Sequence, residues 1–173
     1  MRNDNHVVSL IIPTVRRSSI EKTKAALNKQ TRPADELVIV LDEERRGAAW
    51  ARNEGVRRAT GDLIAYTDDD CIPPHDWLEQ LVRSIDEHDA AGAGGTYKET
   101  DPLLDEIRQL QTKKANHHQS AGNTGNIMYK REWLELCERQ DGYVFNDSSW
   151  APSGSDWRLV WRLINRGAML VFV

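Results

Sequence analysis

Apolar positions along this chain form short unbroken runs that alternate with stretches of helical spacing. Residues 7–12 are β-branched and aliphatic except for Ser9, with Pro13 ending the run, the pattern of a central strand covered on both faces. Ser18-Ser19-Ile20-Glu21 has capping-box spacing, so a helix is predicted to begin there and to end near Gln30, ahead of Thr31-Arg32-Pro33. Residues 37–41 are the next buried strand, and they deliver Asp42 at their C-terminal end. Strand, helix, strand implies a right-handed parallel crossover, which puts Pro13 and Thr14 on the same sheet edge as Asp42. Beyond a basic loop at 43–47, Ala48, Ala51, Gly55 and Ala59 set small groups at helical spacing, so that a helix can lie close to the sheet, and Gly61 is positioned to end it. Residues 63–66 then run as a strand straight into Asp68, Asp69 and Asp70, bracketed by Gly61-Asp62 and Pro73-Pro74.

In the second half, Leu78, Leu81, Val82 and Ile85 define an amphipathic helix entered through Pro73-Pro74, and residues 90–97 are a glycine-rich strand candidate. Asp101-Pro102 opens a helix candidate with Leu103, Ile107 and Leu110 on one face, while 113–125 is polar and turn-rich. Residues 98–125 are accordingly expected to form a mobile loop, of the kind that acts as a lid beside a ligand site. A short strand is predicted at 126–129 and a helix at 131–138 with Trp133, Leu134 and Cys137 inward. Loop follows at 140–154, and then a helix at 156–166 carrying Leu159, Val160, Leu163 and Ile164, stopped by Gly167 ahead of a last apolar strand at 169–173. Together these elements predict one α/β domain over residues 1–173, an open and mostly parallel sheet flanked by helices.

Composition narrows the class. A chain of 173 residues, 39% hydrophobic and 29% charged, has the core-forming capacity of an ordinary globular domain. With 23 Lys and Arg against 27 Asp and Glu it is mildly acidic, which argues against a general nucleic-acid binder. No apolar run approaches the roughly 20 residues of a membrane span, and the first residues lack the apolar core of a signal peptide, so a cytoplasmic location is expected. Cys71 and Cys137 form no CxxC pair and read as reduced structural thiols. Basic residues gather in the first third, from Arg16 to Arg58. A solvated face explains most of them; attraction to phosphate-bearing substrates or to anionic lipid, with peripheral membrane contact, is the sharper alternative.

The Asp triplet carries the chemistry. Three adjacent carboxylates repel one another, and a divalent cation is a usual way to keep such a cluster ionised. In isolation it would be a solvated acidic turn. Its position changes that, because ligands of open α/β sheets sit beyond the carboxyl ends of the parallel strands.

The ordered set Val8-Ser9-Leu10-Ile11-Ile12-Pro13-Thr14, Glu36-Leu37-Val38-Ile39-Val40, Ala51-Arg52-Asn53-Glu54-Gly55, Ala59-Thr60-Gly61-Asp62-Leu63-Ile64-Ala65 and Thr67-Asp68-Asp69-Asp70 resembles the family 2 glycosyltransferases of the GT-A fold, over most of the chain. The resemblance implies an inverting, hexosyltransferase-like enzyme that takes a UDP- or GDP-linked sugar, Mg2+ or Mn2+, and a hydroxyl acceptor. By resemblance, Pro13, Thr14 and Asp42 hold the nucleobase, Asp42 accepting from a ring N–H. Asp68 and Asp70 are the DxD pair, Asp70 the direct metal ligand and Asp68 at the ribose or a metal-bound water, with Asp69 least involved. Arg52 contacts the diphosphate or base, whereas Arg46 reads as a surface arginine. Gly125-Asn126, followed by Tyr129-Lys130-Arg131-Glu132, resembles the acceptor-side segment, with Asn126 its candidate residue. Asp156 stands as the general base; Ser155 or Asp156 would equally suit a helix N-cap. His117 and His118 read as solvated loop residues.

Three departures from the family pattern set further expectations. Only a few residues separate Asp42 from Ala51-Arg52-Asn53, where the family has a helix and an edge strand, and a parallel crossover needs about a dozen or more residues. That unit is therefore missing, which should leave the core standing and expose the strand at 37–41. Ser155 fills the first position of the acidic pair, and Arg158 stands where another acidic residue is common. The sequence stops at Val173, ahead of the region that commonly completes acceptor binding. A non-catalytic nucleotide-sugar-binding module, or a fragment of a larger glycosyltransferase, is thus the second expectation. A nucleotidyltransferase is disfavoured, because residues 13–19 contain no glycine for a phosphate loop.

Overall fold

The structure, a computed structural model, describes residues 6–16, 20–95, 124–148 and 154–173. In chain order the elements are β1 (Val8–Thr14), α1 (Glu21–Leu27), β2 (Glu36–Leu41), α2 (Ala48–Arg58), β3 (Leu63–Tyr66), α3 (Trp77–His88), β4 (Gly92–Gly94), β5 (Ile127–Lys130), α4 (Arg131–Asp141), α5 (Ser155–Asn165) and β6 (Leu170–Phe172). They build a six-stranded sheet in the order β2-β1-β3-β5-β4-β6. β1 pairs in parallel with β2 and β3, β5 runs antiparallel to β3 and β4, and β6 is parallel to β4.

Strand residues alternate between two cores because successive side chains leave a pleat on opposite faces. Ile11, Ile64, Tyr66, Ile127 and Tyr129 pack with α2, α4 and α5 on one side. Leu10, Ile12, Leu63, Ala65 and Met128 pack with α3 on the other. Each such aliphatic side chain, fully buried, stabilises the fold by about 1.5–3 kcal/mol before entropy is counted. The missing unit has the expected consequence: β2 lies at the sheet edge, and Leu37 is 45% exposed.

Several local details differ from expectation. β1 continues through Pro13, which aligns with Val40 of β2. Pairing with β3 ends at Ile11, so Pro13 has a strand neighbour on one side only, where a proline is tolerated. α1 starts at Glu21, with Ile20 at its N-cap and no side-chain cap, so Glu21 is not the third residue of a capping box; Ser18 and Ser19 lie outside the described residues. α1 ends at Leu27, and Gln30 instead serves α3: its side chain donates to the Pro74 carbonyl (2.5 Å) and accepts from the Leu78 N–H (3.1 Å).

Gly61 does not terminate α2, which ends at Arg58. A Cβ there would meet the Val7 carbonyl oxygen at 2.3 Å, so the glycine permits close approach to the start of β1. Gly167, at φ 87, ends α5 as expected, but Ile164 faces outward at 37% exposure. Most of the expected mobile loop at 98–125, with its helix candidate, His117 and His118, lies outside the described residues. Among the described residues, no helix is long and apolar enough to cross a membrane.

Candidate active site

The C-terminal ends of β1, β2 and β3 meet on one edge of the sheet. The Asp42 N–H donates to the Thr14 carbonyl (2.8 Å), and the Thr67 N–H to that of Ile11 (3.3 Å). The Thr14 hydroxyl, 4% exposed, lies in hydrogen-bond contact with the Asp69 carboxylate. From α1, the fully buried Thr23 hydroxyl reaches the carbonyls of Asp69 and Cys71, both at 2.8 Å. The middle Asp of the triplet is thus tied to β1 and α1, so its neighbours Asp68 and Asp70 project from an anchored turn.

α2 supplies the cation that faces them. Arg52 is 8% exposed, and its guanidinium pairs with Asp68 Oδ1 at 3.2 Å. Burial lifts the Asp68 carboxyl above the ordinary carboxylate range; Arg52 works against this, while the charges of Asp70 and Asp156 add to it. The three carboxylates therefore share one electrostatic neighbourhood, although Asp156 arrives from the first turn of α5, far away in sequence. Gly154, at φ 94, sits at the α5 N-cap.

Every residue of Ala51-Arg52-Asn53-Glu54-Gly55 now has a physical reason. Ala51 and Gly55 form the face against the sheet, and a Cβ on Gly55 would meet Ile11 Cγ2 at 2.3 Å. Glu54 takes both Arg57 and Arg58 in surface pairs. Asn53, buried, clamps the main chain of Phe145: its Nδ2 donates to the Phe145 carbonyl (2.7 Å) and its Oδ1 accepts the Phe145 N–H (2.8 Å). The clamp holds the Phe145 ring edge-on to Tyr66, centroids 5.6 Å apart, and 6.0 Å from the Arg52 guanidinium carbon. Behind Arg52, the hydroxyls of Tyr66 and Tyr129 and the Arg52 Nε are buried without a hydrogen-bond partner among the described residues. Burial raises the pKa of both phenols, so both stay protonated as potential donors.

Of the residues singled out from sequence, Pro13, Thr14, Asp42, Arg52, Asp68, Asp70 and Asp156 gather at or beside this edge. Asp42 is 3% exposed, with one carboxylate oxygen accepting the Arg46 N–H (2.9 Å) and the other the Gly47 N–H (2.7 Å), which fixes the loop into α2. Arg46 is exposed, pairs with Glu44 and stacks 4.2 Å over Trp50, in line with its surface reading. Asn126 uses its side-chain carbonyl to accept from the Trp77 indole N–H at 2.7 Å, joining the start of β5 to the start of α3. Cys71 and Cys137 are free thiols.

Sequence reasoning passed over Asn53, although an asparagine inside a helix is unfavourable enough to signal a tertiary partner. Nothing local signalled the contact of Thr14 with Asp69 or the buried tyrosine pair.

Among the described residues, no three His, Cys, Asp or Glu side chains are placed to hold an ion. A closed protein cage is thus not what the donor set offers. Hard divalent cations can bind through one or two carboxylates plus substrate phosphates, and Asp68 with the exposed Asp70 suit that mode.

Comparison with known proteins agrees with the fold. A family model described as "Glycosyl transferase family 2" matches residues 18–141, and the chain belongs to that family. Glycosyltransferase AglE of Haloferax volcanii is 27% identical over 124 residues, covering 68% of this chain and 41% of that protein. Among solved structures, the mannosyltransferase PcManGT of Pyrobaculum calidifontis, in complex with GDP-Man and Mn2+, superimposes with a TM-score of 0.72 at 20% identity, over 97% of this chain and 55% of its own. S. aureus TarS in complex with UDP gives 0.70 at 17% identity, over 96% and 57%. The fold is therefore GT-A, and the chain spans about half the length of the relatives it matches or less.

Proposed function

We propose that this domain binds a nucleotide-diphosphate sugar, UDP- or GDP-linked, and transfers the sugar to an acceptor hydroxyl with inversion, assisted by Mg2+ or Mn2+. The observation that carries the reading is the convergence of Arg52, Asp68, Asp70 and Asp156 at the C-terminal edge of β1 and β3. Arg52 supplies a buried positive charge toward the diphosphate while holding Asp68 in place. Asp68 and Asp70 would hold the cation, which supplies charge neutralisation for the departing diphosphate. Thr14, Pro13 and the Asp42 loop face the nucleobase; each Asp42 oxygen retains lone-pair capacity beyond the backbone N–H it accepts, so a ring N–H can share it. PcManGT with GDP-Man and TarS with UDP support either base.

Asp156 takes the proton from the acceptor hydroxyl as that oxygen attacks the anomeric carbon and the bond to the diphosphate breaks. A positioned base of this kind contributes about 10²- to 10⁴-fold. Calorimetric titration of the full chain with UDP- and GDP-sugars in Mn2+ tests the reading: one of them binds, Asp70→Ala abolishes that binding, and Asp156→Asn retains it while transfer or donor hydrolysis falls by about 10²-fold or more. Absence of nucleotide binding to the parent chain would sink the proposal. A second reading, a binding module without turnover, is favoured by Ser155 at the first position of α5. It holds if nucleotide binds and Asp156→Asn removes no measurable turnover.

A further inference from the structure

Residues 67–76 carry the Asp triplet from β3 to α3 as neither helix nor strand, so their main-chain carbonyls need partners from outside a regular ladder. α1 and the residues after it supply several. Inside the loop, the Cys71 N–H donates to the Asp68 carbonyl at 3.3 Å, closing a four-residue turn with Asp69 and Asp70 at its corner. The Thr23 hydroxyl reaches the Asp69 and Cys71 carbonyls of that turn, both at 2.8 Å. Farther along, Gln30 donates to the Pro74 carbonyl at 2.5 Å, and the Thr31 N–H to that of His75 at 2.7 Å.

Thr23 is the one buried residue of α1. A helix that packs on a core commonly fills such a position with an aliphatic side chain, whereas a buried hydroxyl is tolerated only with a partner. Its single proton is shared between two carbonyls, and no apolar group could take its place at that range. A methyl would have to stand back to roughly 3.3–3.6 Å from each oxygen, which moves the turn. Two further contacts hold the same turn from other elements. The Thr14 hydroxyl of β1 contacts the Asp69 carboxylate, and Arg52 of α2 pairs with Asp68 at 3.2 Å. Asp70, the exposed member of the triplet, takes its direction from the turn.

We infer that Thr23 is a positioning residue for the divalent cation, fixing the turn of residues 68–71 so that Asp68 and Asp70 are presented together before an ion arrives. The inference rests on the metal-assisted transfer proposed above. A site that offers a hard cation one or two carboxylates, and takes its other ligands from phosphate, loses affinity steeply when either carboxylate must be ordered on binding. Asp69 then serves as an anchor through Thr14, and the two threonines hold one turn from two elements.

The test titrates the full chain calorimetrically with UDP and with GDP, in Mn2+ and in EDTA. Thr23→Val is expected to weaken the Mn2+-dependent binding about fivefold or more and to leave the affinity in EDTA unchanged, while Thr23→Ser, which keeps the hydroxyl, stays close to the parent. Thr23→Ala, without the intruding methyl, carries the same expectation if Thr23→Val does not fold. NMR reads the turn without nucleotide: the Cys71 amide exchanges faster in Thr23→Val than in the parent, and Mn2+ alone broadens the amides of residues 68–71 less. Equal losses in Mn2+ and in EDTA show a merely structural role and overturn the inference. Parent-like Mn2+ dependence in the valine or alanine variant overturns it too, as does nucleotide binding by the parent that is indifferent to Mn2+. If the parent binds no nucleotide, the transferase reading fails alone, and the Mn2+ broadening decides whether Thr23 positions the cation.

Discussion

Burial lifts the Asp68 carboxyl above its ordinary range, and Asp70 and Asp156 lift it further against the pull of Arg52. Between the ordinary value of 3.8 and the raised one, the folded chain holds a proton that the unfolded chain has released. Stability therefore falls as pH rises through that window, and the whole deficit persists at neutral pH. Asp68→Asn removes the ionisation while leaving an amide oxygen to accept from Arg52. We expect its unfolding midpoint at pH 7 to match or exceed that of the parent, the gain vanishing below pH 3.8, while nucleotide affinity falls. Thermal unfolding across pH, set beside calorimetry with nucleotide, reads both quantities. A clearly lower midpoint at pH 7 would mean that the Arg52 attraction outweighs burial, contrary to this account. A site held at some cost to the fold is where catalytic groups are commonly found.

At the scale of elements, α2 shows what a sequence exposes and what it hides. Its small residues were readable because a helix that touches a sheet must repeat its contact face every three or four positions. The strands were readable for a similar reason, since both faces of the central ones are buried and their runs are unbroken. The clamp from Asn53 to Phe145 spans 92 positions and the contact of Thr14 with Asp69 spans 55, and such pairings leave no periodic trace. Asp156 was visible only through the resemblance, because its spacing suited an N-cap as well. Gly61 looked like a helix stop, yet close approach to β1 is what requires it. The outward turn of Trp157 and Trp161 was equally hidden, as α5 is apolar around much of its circumference.

Gly55→Ala tests the contact face directly. The new methyl would meet Ile11 Cγ2, a fully buried core atom, at 2.3 Å, and overpacking of this kind costs about 1–3 kcal/mol. Ile11→Ala destabilises alone by leaving a cavity, but in combination it gives the methyl room. The double variant should therefore lose less stability than the sum of the two single changes, by chemical denaturation. Strict additivity would show that α2 relaxes away from the sheet and that the close approach is not specified.

The molecule as a whole is a sheet with β2 at one edge and β6 at the other. At the first edge only six residues, Asp42 to Gly47, connect β2 to α2, too few to bring another strand alongside. Among the described residues the outer side of β2 has no strand neighbour, and Leu37 is 45% exposed, while Val38 and Val40 on the opposite face of the sheet stay buried. At the other edge, Met169 and Phe172 are 48% and 42% exposed. An unpaired strand carrying exposed apolar side chains is a template for association with a second chain, and a lysine on such a strand is a common protection. Leu37→Lys removes apolar surface that the fold does not bury, so its unfolding free energy should stay within about 0.5 kcal/mol of the parent. If β2 is the sticky edge, light scattering at high protein concentration will show weaker self-association for this variant, with nucleotide affinity unaffected. If association is unchanged by Leu37→Lys and falls instead with Phe172→Lys, the β6 edge governs it.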